Sequence, residues 1–361
     1  MEVIPDFSIE KSGIKCDLVL LSWNNLALLK RCVESLMRCT DISSRLIIVD
    51  NGSAEAGLRG YLAALKESGN VRLKVIFNSL NEGFARGMNK GMNESSAPYV
   101  CILNNDIIVT ESWLAEMINV AESDPAIGVV NPSSNNFGLR FKKDVTLEEF
   151  AHGLRKQSGG WVEMNACVGF CMLIKREVIK KIGFLDDKYG YAYFEDTDYS
   201  RRAQAAGYRC VMAKGCYVYH AEGKSGKFLK NKDETFDRSA RIFEKRWGRI
   251  LRVVFLITKK DSSAGEEIAH KVAGELKDHN RVWLFVERGA DLGTLPEHLD
   301  LMRADSPRNF FKLKSFWNII KKRKKFDRIY AQGKVLRAVL AGYAFLRGCE
   351  ICNSSANGFE I

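Results

Sequence analysis

The sequence predicts an α/β protein in which a mostly parallel, Rossmann-like sheet carries helices on both faces, followed by a smaller second α/β unit. Short apolar segments alternate with helical stretches through the first half; the predicted strands are residues 17–22, 46–50, 71–77, 99–103 and 127–131. Continuous apolar strands separated by helices are typical of parallel sheets. A second strand–helix–strand pattern begins at Leu251. We therefore place one domain at residues 1–249 and another at 250–361.

Helical periodicity supplies the remaining elements. Helices are predicted over residues 26–37, where apolar residues have helical spacing, and over 55–67, 84–92, 113–122 and 233–247 in the first domain, with an amphipathic helix over 265–276 in the second. Residues 168–175, 177–182, 195–206 and 210–220 are expected to form a mixed region that completes the first domain, and further strands are expected at 251–258 and 281–286. Residues 140–157 are polar and are expected to form a loop.

Composition limits the classes of partner. The net charge of +11 favours an anionic partner such as a nucleotide, a lipid-linked phosphate, a phospholipid surface or a nucleic acid. An RNP-like aromatic motif is missing from the sequence, so we expect no nucleic acid partner. The ten cysteines are scattered without repeated zinc spacing, which favours reduced, buried thiols in a cytoplasmic protein. We see no secretory signal and no apolar run long enough to span a bilayer.

Polar side chains follow three of the predicted strands at their carboxyl ends, where such sheets bind ligands. They are Ser22, Asp50, Asn104, Asn105 and Asp106. An exposed acid such as Asp106 can help to hold Mg²⁺ or Mn²⁺ against a diphosphate, although Asn-Asn-Asp is also common in solvated turns. Asp50 can accept hydrogen bonds from a nucleoside, or it can order the turn that follows it.

Three further motifs are candidates for the site. The glycines of residues 81–87 (NEGFARG) let the backbone approach a ligand at a helix N-terminus. The acids around Glu195 and Asp196 lie close enough to repel each other, which raises the pKa of one and suits it to general base work; acids at a helix N-terminus are the alternative. His220 ends an apolar strand and is either a structural residue or a metal ligand.

Taken together, these motifs resemble one known family. The segments LVLLSWNN, IIVDNGS, NEGFARGMN, ILNNDIIV, GFCMLIKREVIKKIGFLDD, YFEDTDYSRRAQAAGYR and YVYH occur in this order. The ordered set resembles family 2 glycosyltransferases of the GT-A fold, in particular the branch with rhamnosyl- and galactofuranosyl-transferases. The resemblance covers residues 15–247.

The resemblance implies an inverting transfer from a nucleotide diphosphate sugar, UDP- or dTDP-linked, to a glycan or lipid-linked glycan acceptor. It implies that Asp196 is the general base, with Glu195 beside it, and that Asp106 and His220 hold Mg²⁺ or Mn²⁺. Asn104 occupies a position where the family often has an acid. The candidate donor-binding residues are Ser22, Asn24, Asp50, Asn81, Gly83, Arg86, Asn104 and Asn105.

Helix geometry favours Asp196 over Glu195 as the base. Adjacent residues of a helix point about 100° apart, so we expect only one of the two acids to face the sugar. Glu195 shares a face with Asp198 and Arg202, where pairing with the arginine would hold acid side chains in place. Asp196 is then left free for the cleft.

Two other classes of protein fit the sequence less well. A non-catalytic carbohydrate- or nucleotide-binding protein on the same fold would need neither a metal-binding acid nor a base. A nucleotidyltransferase would be expected to carry a glycine-rich phosphate loop after its first strand, where this chain reads SWNNLALLK.

The C-terminal segment, residues 251–361, weakly resembles the N-terminal half of a GT-B glycosyltransferase. We interpret it as part of a longer two-enzyme fusion, or else as a unit for acceptor binding or assembly. Within it, residues 311–326 (FKLKSFWNIIKKRKKF) combine aromatic and basic side chains. This segment is either a peripheral contact with the inner face of a membrane or a solvated basic helix face.

Overall fold

The structure is a computed structural model that describes residues 13–68, 70–141, 144–221, 231–259, 264–322, 324–331 and 334–352. The chain divides into two compact units, an N-terminal unit (Met1–Trp247) and a C-terminal unit (Gly248–Ile361). The division falls two residues before the domain boundary that the sequence suggests.

The N-terminal unit is built on one nine-stranded, mostly parallel sheet. Its strands are β1 (Cys16–Ser22), β2 (Ser44–Asp50), β3 (Leu73–Phe77), β4 (Tyr99–Asn104), β5 (Ile107–Val109), β6 (Ile127–Ser133), β7 (Trp161–Glu163), β8 (Cys171–Lys175) and β9 (Arg209–His220). The strand order is β3-β2-β1-β4-β8-β6-β9-β5, and β7 pairs with β9. Strand β8 runs antiparallel to β4 and β6, and β5 and β7 run antiparallel to β9. The predicted fold class is confirmed.

Eight helices belong to the described part of this unit. They are α1 (Leu26–Cys39), α2 (Leu58–Glu67), α3 (Phe84–Asn93), α4 (Trp113–Ser123), α5 (Leu147–Leu154), α6 (Arg176–Ile182), α7 (Glu195–Ala205) and α8 (Lys232–Trp247). Helix α3 lies unusually close to the sheet because it presents glycines to β1. A Cβ on Gly87 would lie 2.6 Å from Leu21 Cδ1, and one on Gly91 would lie 2.3 Å from Val19 Cγ1. This close packing sets the N-terminus of α3 beside the carboxyl ends of β1 and β2.

Two sequence predictions fail locally. Residues 140–157 were expected to be a loop, but they include α5, which begins with a capping box between Thr146 and Glu149. Its apolar residues, Leu147, Phe150, Ala151 and Leu154, have helical spacing, so the sequence did contain the helix signal within an otherwise polar segment. Helix α2 begins at Leu58 rather than at Glu55, because the Glu55 carboxylate caps α1 by accepting from the backbone N–H groups of Asn25 and Leu26.

The C-terminal unit contains a separate, fully parallel sheet of five strands. Its elements are β10 (Arg252–Ile257), α9 (Gly265–Lys277), β11 (Arg281–Glu287), β12 (Leu301–Ser306), α10 (Phe311–Ile320), β13 (Arg328–Ala331), α11 (Lys334–Arg347) and β14 (Glu350–Cys352). The strand order is β12-β11-β10-β13-β14, which is a doubly wound, Rossmann-like order. One core lies under α9 and another on the opposite face under α10 and α11. The predicted second α/β unit is therefore confirmed.

All ten cysteines are free thiols and eight of them are buried, as expected from their apolar surroundings in the sequence. Among the described helices, none is both long enough and apolar enough to cross a membrane.

Candidate active site

The carboxyl ends of β1, β2 and β4 bring the predicted polar residues to one edge of the sheet. Ser22 pairs in register with Asp50, and Leu21 pairs with Asn104. Ser22 is fully buried, and its hydroxyl and the Asn24 carbonyl accept from the Asn105 side-chain amide at 3.5 and 3.0 Å. Parallel strands that end together therefore gather residues that are more than eighty positions apart in the sequence.

Asp50 is fully buried, and its two carboxylate oxygens have different environments. Oδ1 accepts from the Ser53 backbone N–H at 3.1 Å, which orders the turn after β2. Oδ2 lies 3.3 Å from the Arg59 Nε in an ion pair but accepts no hydrogen bond. The turn-ordering role that the sequence suggested is thus present, and Oδ2 retains capacity to accept.

Asn24 ties the loop after β1 to the loop after β2. Its Oδ1 accepts from the backbone N–H groups of Ala54 and Glu55 at 3.0 and 3.1 Å, and its own N–H donates to the Ser53 hydroxyl at 2.8 Å. Asn24 and Asn25 both have positive φ angles, 55° and 63°, which asparagine tolerates better than most residues. Asn24 therefore positions the backbone at the strand ends.

Asn51 joins three segments at the site, and the sequence analysis did not identify it as a site residue. Its amide donates to Asn81 Oδ1 at 2.9 Å and to the Gly83 carbonyl at 3.1 Å. Its Oδ1 accepts from the Asn78 amide at 2.9 Å and from the Glu82 N–H at 3.2 Å. The sequence signal was its place in the IIVDNGS segment, directly after a predicted strand end.

Gly83 begins α3 in a position that requires glycine. Its φ is 88°, and a Cβ there would lie 2.5 Å from the Gly190 carbonyl oxygen and 2.8 Å from Tyr191 Cα. The next N–H, that of Phe84, donates to the Tyr191 carbonyl at 2.8 Å. Arg86 points elsewhere: it pairs with Asp187 at 3.0 Å, both side chains are about half exposed, and Arg86 lines neither of the two cavities described next.

Two adjoining cavities occupy this edge of the sheet. The smaller, of about 220 Å³, is lined by Leu21, Trp23, Asn51, Asn81, Phe84, Asn104, Asn105, Tyr191, Ala192 and Tyr193. The larger, of about 380 Å³, is lined by Phe84, Asn104, Val168, Gly169, Phe170, Ala192, Tyr193, Phe194, Glu195, Asp196, Thr197, His220 and Phe236. The two cavities share Phe84, Asn104, Ala192 and Tyr193, so they form one continuous cleft.

Asp106 and His220 meet beside the larger cavity. Residue 107, at the start of β5, pairs with His220 at the end of β9, which sets Asp106 Oδ1 3.0 Å from His220 Nε2. His220 Nδ1 lies 3.0 Å from Asn136 Oδ1, and the imidazole stacks on Phe170 with centroids 5.1 Å apart. Asn135 accepts from the backbone N–H of His220 and donates to its carbonyl, each at 2.8 Å.

The chemistry of this pair suits a shared cation. When Nδ1 donates to Asn136 Oδ1, which can only accept, Nε2 faces the Asp106 carboxylate as a second acceptor. Two acceptors 3.0 Å apart require a proton or a cation between them. Within the described residues no group of three or more His, Cys, Asp or Glu could hold a metal. Two protein ligands nevertheless fit Mg²⁺, because water and substrate phosphates usually fill the rest of its coordination shell.

Glu195 and Asp196 both line the larger cavity at the N-terminus of α7. Tyr193 and Phe194, which precede the helix, have φ angles of 75° and 70°. Two consecutive left-handed aromatic residues are costly and point to a functional constraint. Asp196 Oδ2 accepts from the Gly169 N–H at 3.1 Å, and Oδ1 accepts from the Thr197 N–H and hydroxyl at 2.6 and 3.2 Å.

The two carboxyl groups differ in how well their charged forms are stabilised. Glu195 is only 7% exposed, and its Oε2 has no hydrogen-bond partner. Burial, together with the nearby Asp196 charge, raises the pKa of Glu195 to about 8. Burial also raises the pKa of Asp196, but the N–H groups of Gly169 and Thr197 oppose that shift. Glu195 is therefore the acid that keeps its proton at neutral pH, and Asp196 is the one that ionises first.

The prediction that only one of these acids faces the cavity is wrong. Arg202, expected on the same face as Glu195, pairs with Asp198 at 2.8 Å. Asp198 also accepts from Trp247 Nε1 at 2.8 Å, from Arg246 at 3.0 Å and from the Tyr189 hydroxyl at 3.2 Å. Asp198 takes the arginine, and Glu195, the first residue of the helix, lines the cavity together with Asp196, although its Oε2 is buried.

Comparisons with known proteins agree with this architecture. Residues 17–183 match the family model "Glycosyl transferase family 2". The chain is 23% identical over 246 residues to the glycosyltransferase GlyG of Streptococcus pneumoniae serotype 4 (strain TIGR4), covering 64% of this chain and 75% of that protein. It is 26% identical over 212 residues to the poly-beta-1,6-N-acetyl-D-glucosamine synthase of Staphylococcus aureus (strain COL), covering 57% of this chain and 49% of that protein.

Among solved structures, GalNAc-T7, crystallised with UDP, GalNAc and Mn²⁺, superposes with a TM-score of 0.50 at 17% identity, covering 66% of this chain and 50% of that one. This likeness concerns the fold. In three of the curated relatives, the matched region spans between 27% and 75% of the relative's length. The matched segment makes the N-terminal unit similar to glycosyl transferase family 2, and the shared architecture shows that its fold is of the GT-A type.

Proposed function

We propose that the N-terminal unit transfers a sugar from a UDP- or dTDP-linked donor to an acceptor hydroxyl, with inversion at the anomeric carbon. One observation carries this proposal: a single cleft joins a pocket at the ends of β1, β2 and β4 to a cavity with two buried carboxyl groups. The two groups differ in protonation, as a transferase needs when one accepts a proton and the other donates a hydrogen bond.

The donor nucleoside fits the smaller cavity. Trp23 and Tyr191 offer apolar and aromatic surface there, and the hydrogen bond between Asn51 and Asn81 holds the backbone of the cavity wall in place. We propose Asp50 as the acceptor for the nucleoside from the family resemblance. Its Oδ2 accepts no hydrogen bond from the described residues, but Asp50 is fully buried directly before the lining residue Asn51 and lines neither cavity itself. The diphosphate then lies at the shared wall near Asn104, between the two cavities.

Asp106 and His220 are the residues that would hold Mg²⁺ or Mn²⁺. Such an ion neutralises the charge that develops on a departing diphosphate. The chain's own contribution is to hold the two ligands 3.0 Å apart, with the imidazole fixed by Asn136 and by the Phe170 ring. A second-sphere partner of this kind orients a metal-binding histidine and sets its tautomer.

Asp196 serves as the general base. The acceptor oxygen attacks the anomeric carbon while its proton passes to the Asp196 carboxylate, and the bond from that carbon to the diphosphate oxygen breaks. The raised pKa of Asp196 makes it a stronger base than an ordinary aspartate. Glu195, neutral at the same pH, donates a hydrogen bond from its otherwise unpaired Oε2 to the acceptor sugar.

We propose a growing glycan or a lipid-linked glycan as the acceptor, in polysaccharide synthesis at the cytoplasmic face of a membrane, from the resemblance and from the relatives' functions. The C-terminal unit, with its doubly wound sheet, is proposed to be part of a GT-B-like domain. A carbohydrate- or nucleotide-binding protein on the same fold remains the rival function. It gives no reason for burying an unpaired carboxyl group beside a second acid.

The proposal is tested by incubating the protein with a panel of nucleotide sugars, Mn²⁺ and candidate glycan acceptors, and by measuring released nucleotide diphosphate. We expect release with UDP- or dTDP-sugars, and loss of release in Asp196→Asn. Asp187→Asn is the matched control, because Asp187 is an exposed acid that pairs with Arg86 and lines neither cavity. Donor binding with no release from any member of the panel would favour the binding protein.

A further inference from the structure

Helix α10 of the C-terminal unit is apolar on two opposite faces. Phe311, Ser315 and Ile319 are spaced by four residues and are buried against the sheet. On the other side, Phe310, Leu313, Trp317 and Ile320 are spaced by three, four and three residues, and their exposed fractions are 64%, 75%, 61% and 42%. Spacings of three and four residues place side chains on one face of a helix. We call these four residues the α10 outer stripe.

Folding of the unit does not account for the outer stripe. The inner face alone meets the core formed with Val254, Phe285 and Phe326. Single exposed apolar residues are ordinary on protein surfaces, but a contiguous apolar stripe with two aromatic rings indicates an interaction site.

The charges around the stripe identify the kind of partner. Residues 307–326 contain eight lysines and arginines and no acid. Lys314 and Lys321 lie three and four residues from Trp317, and therefore on its side of the helix. Together with Lys312, they are exposed and have no acidic partner among the described residues. A second copy of the chain is an unfavourable occupant, because it would bring the same positive charge to the contact.

We propose that α10 docks the protein on an anionic lipid surface, with the outer stripe in the interface and the surrounding lysines on lipid phosphates. Helix α10 has ten residues, about 15 Å at 1.5 Å per residue, and so it can lie on a bilayer but cannot cross one. Tryptophan and phenylalanine on one face with lysines at its edges are typical of interfacial helices. The inference concerns the C-terminal unit and does not depend on the transferase mechanism.

The test is cosedimentation of the full chain with two kinds of vesicle. One is phosphatidylcholine alone, and the other contains about 30% phosphatidylglycerol as the anionic lipid. We expect binding to the anionic vesicles that weakens as salt is raised, and little binding to the neutral ones. The variant L313S/W317S should bind at least tenfold more weakly. Because both side chains are largely exposed, its thermal unfolding should match that of the wild type.

The control is F345S/L346S, which removes two side chains of α11 that are 89% and 81% exposed in the same unit. This variant should bind as the wild type does. Failure of the full chain to bind anionic vesicles, equal binding by L313S/W317S, or an equal loss in the control would overturn the proposal. So would a concentration-dependent dimer that L313S/W317S abolishes, since the stripe would then serve a second copy.

A fluorescence arm gives a second readout. Burial of Trp317 in the interface should shift the emission to shorter wavelength on adding anionic vesicles, and W317F should lose that shift. Donor hydrolysis without vesicles should be unchanged in L313S/W317S, which separates failure of docking from failure of the transferase. An unchanged spectrum in the wild type would count against the proposal.

Discussion

Each unit buries two glutamates among the described residues, and one from each unit, Glu275 and Glu195, have different surroundings. In the C-terminal unit, Glu275 is 5% exposed and is held by Arg328, by the Tyr330 hydroxyl at 2.9 Å and by the Asn280 amide at 2.6 Å. In the N-terminal unit, Glu195 is 7% exposed, and its Oε2 has no partner. Buried polar groups are normally satisfied. Nine buried polar atoms of the described residues have no hydrogen-bond partner, and of these only Glu195 Oε2 belongs to a residue that lines the cleft, beside a second acid.

Paired and unpaired buried acids have different roles in this chain. A paired buried acid ties strands to a helix, as Glu275 on α9 does with Arg328 and Tyr330 on β13. An unpaired buried acid costs stability and is retained where it serves a ligand or a reaction. The same reasoning applies to Asp198 and Asp196 on α7: the former has four partners from other side chains, and the latter faces the cavity.

The largest effect is expected at the cation ligands of the N-terminal unit. Asp106→Ala should abolish turnover and weaken nucleotide binding, because a diphosphate leaves poorly without charge neutralisation. Turnover should likewise be lost in excess EDTA and return on adding Mn²⁺. Full activity in excess EDTA would show that the pair of Asp106 and His220 is structural.

The stability of the fold should fall when Glu275 is replaced by glutamine but not when Glu195 is. Glu275→Gln should lower the free energy of unfolding by about 1–3 kcal/mol, the range for hydrogen bonds lost by a charged group. Glu195→Gln should not destabilise the fold at pH 8, because it replaces an acid that the fold prefers to keep neutral. Chemical denaturation of both variants measures this difference, and equal destabilisation would contradict the comparison.

Asp50→Ala should weaken binding of free nucleotide by about 1–3 kcal/mol, and it should also lower stability because the turn loses the hydrogen bond from the Ser53 N–H. Calorimetric titration of UDP and dTDP provides the measurement. Unchanged affinity would reduce Asp50 to the turn-ordering role that its contact with Ser53 already shows.

The pH profile should reveal the two protonation states of the acid pair. Activity needs Asp196 ionised and Glu195 protonated, so it should fall on the alkaline side as Glu195 loses its proton near pH 8. Below that pH the raised pKa keeps Glu195 neutral, and the hydrogen bond is available. At pH 7 the activity of Glu195→Gln should stay within about tenfold of the wild-type activity, because acid–base contributions can be that small. The decrease in activity at alkaline pH should be absent in this variant. An unchanged alkaline limb in that variant would assign the titration to another group.

Local patterns in the sequence were sufficient for the sheet and for the strand-end residues. Buried parallel strands are continuous apolar runs, and the polar residue that ends each run lies at the ligand edge by topology alone. The sequence therefore predicted Ser22, Asp50 and Asn104 at the ligand-binding edge of the sheet. The acids of α7 and His220 were found through the ordered set of motifs.

Long-range contacts could not be obtained in the same way. Asn51 matters because of Asn78 and Asn81, which lie about thirty residues away and meet it only in the fold. The pairing of Arg202 with Asp198, by contrast, is local: the two lie four residues apart on α7, whereas Glu195 lies seven residues from the arginine. Helix α5 was likewise a local signal that the polar composition of residues 140–157 obscured: its apolar residues have helical spacing and it begins with a capping box.

The central claim is that the acid pair of the N-terminal unit performs transfer, and the rate of sugar transfer by Asp196→Asn tests it most directly. The amide keeps the size of the side chain but cannot take the acceptor's proton. The account predicts near-normal affinity for the donor nucleotide and a rate of transfer lower by about 100-fold or more, the usual contribution of a general base. A normal rate in Asp196→Asn, together with an inactive Glu195→Gln, would contradict it and make Glu195 the base.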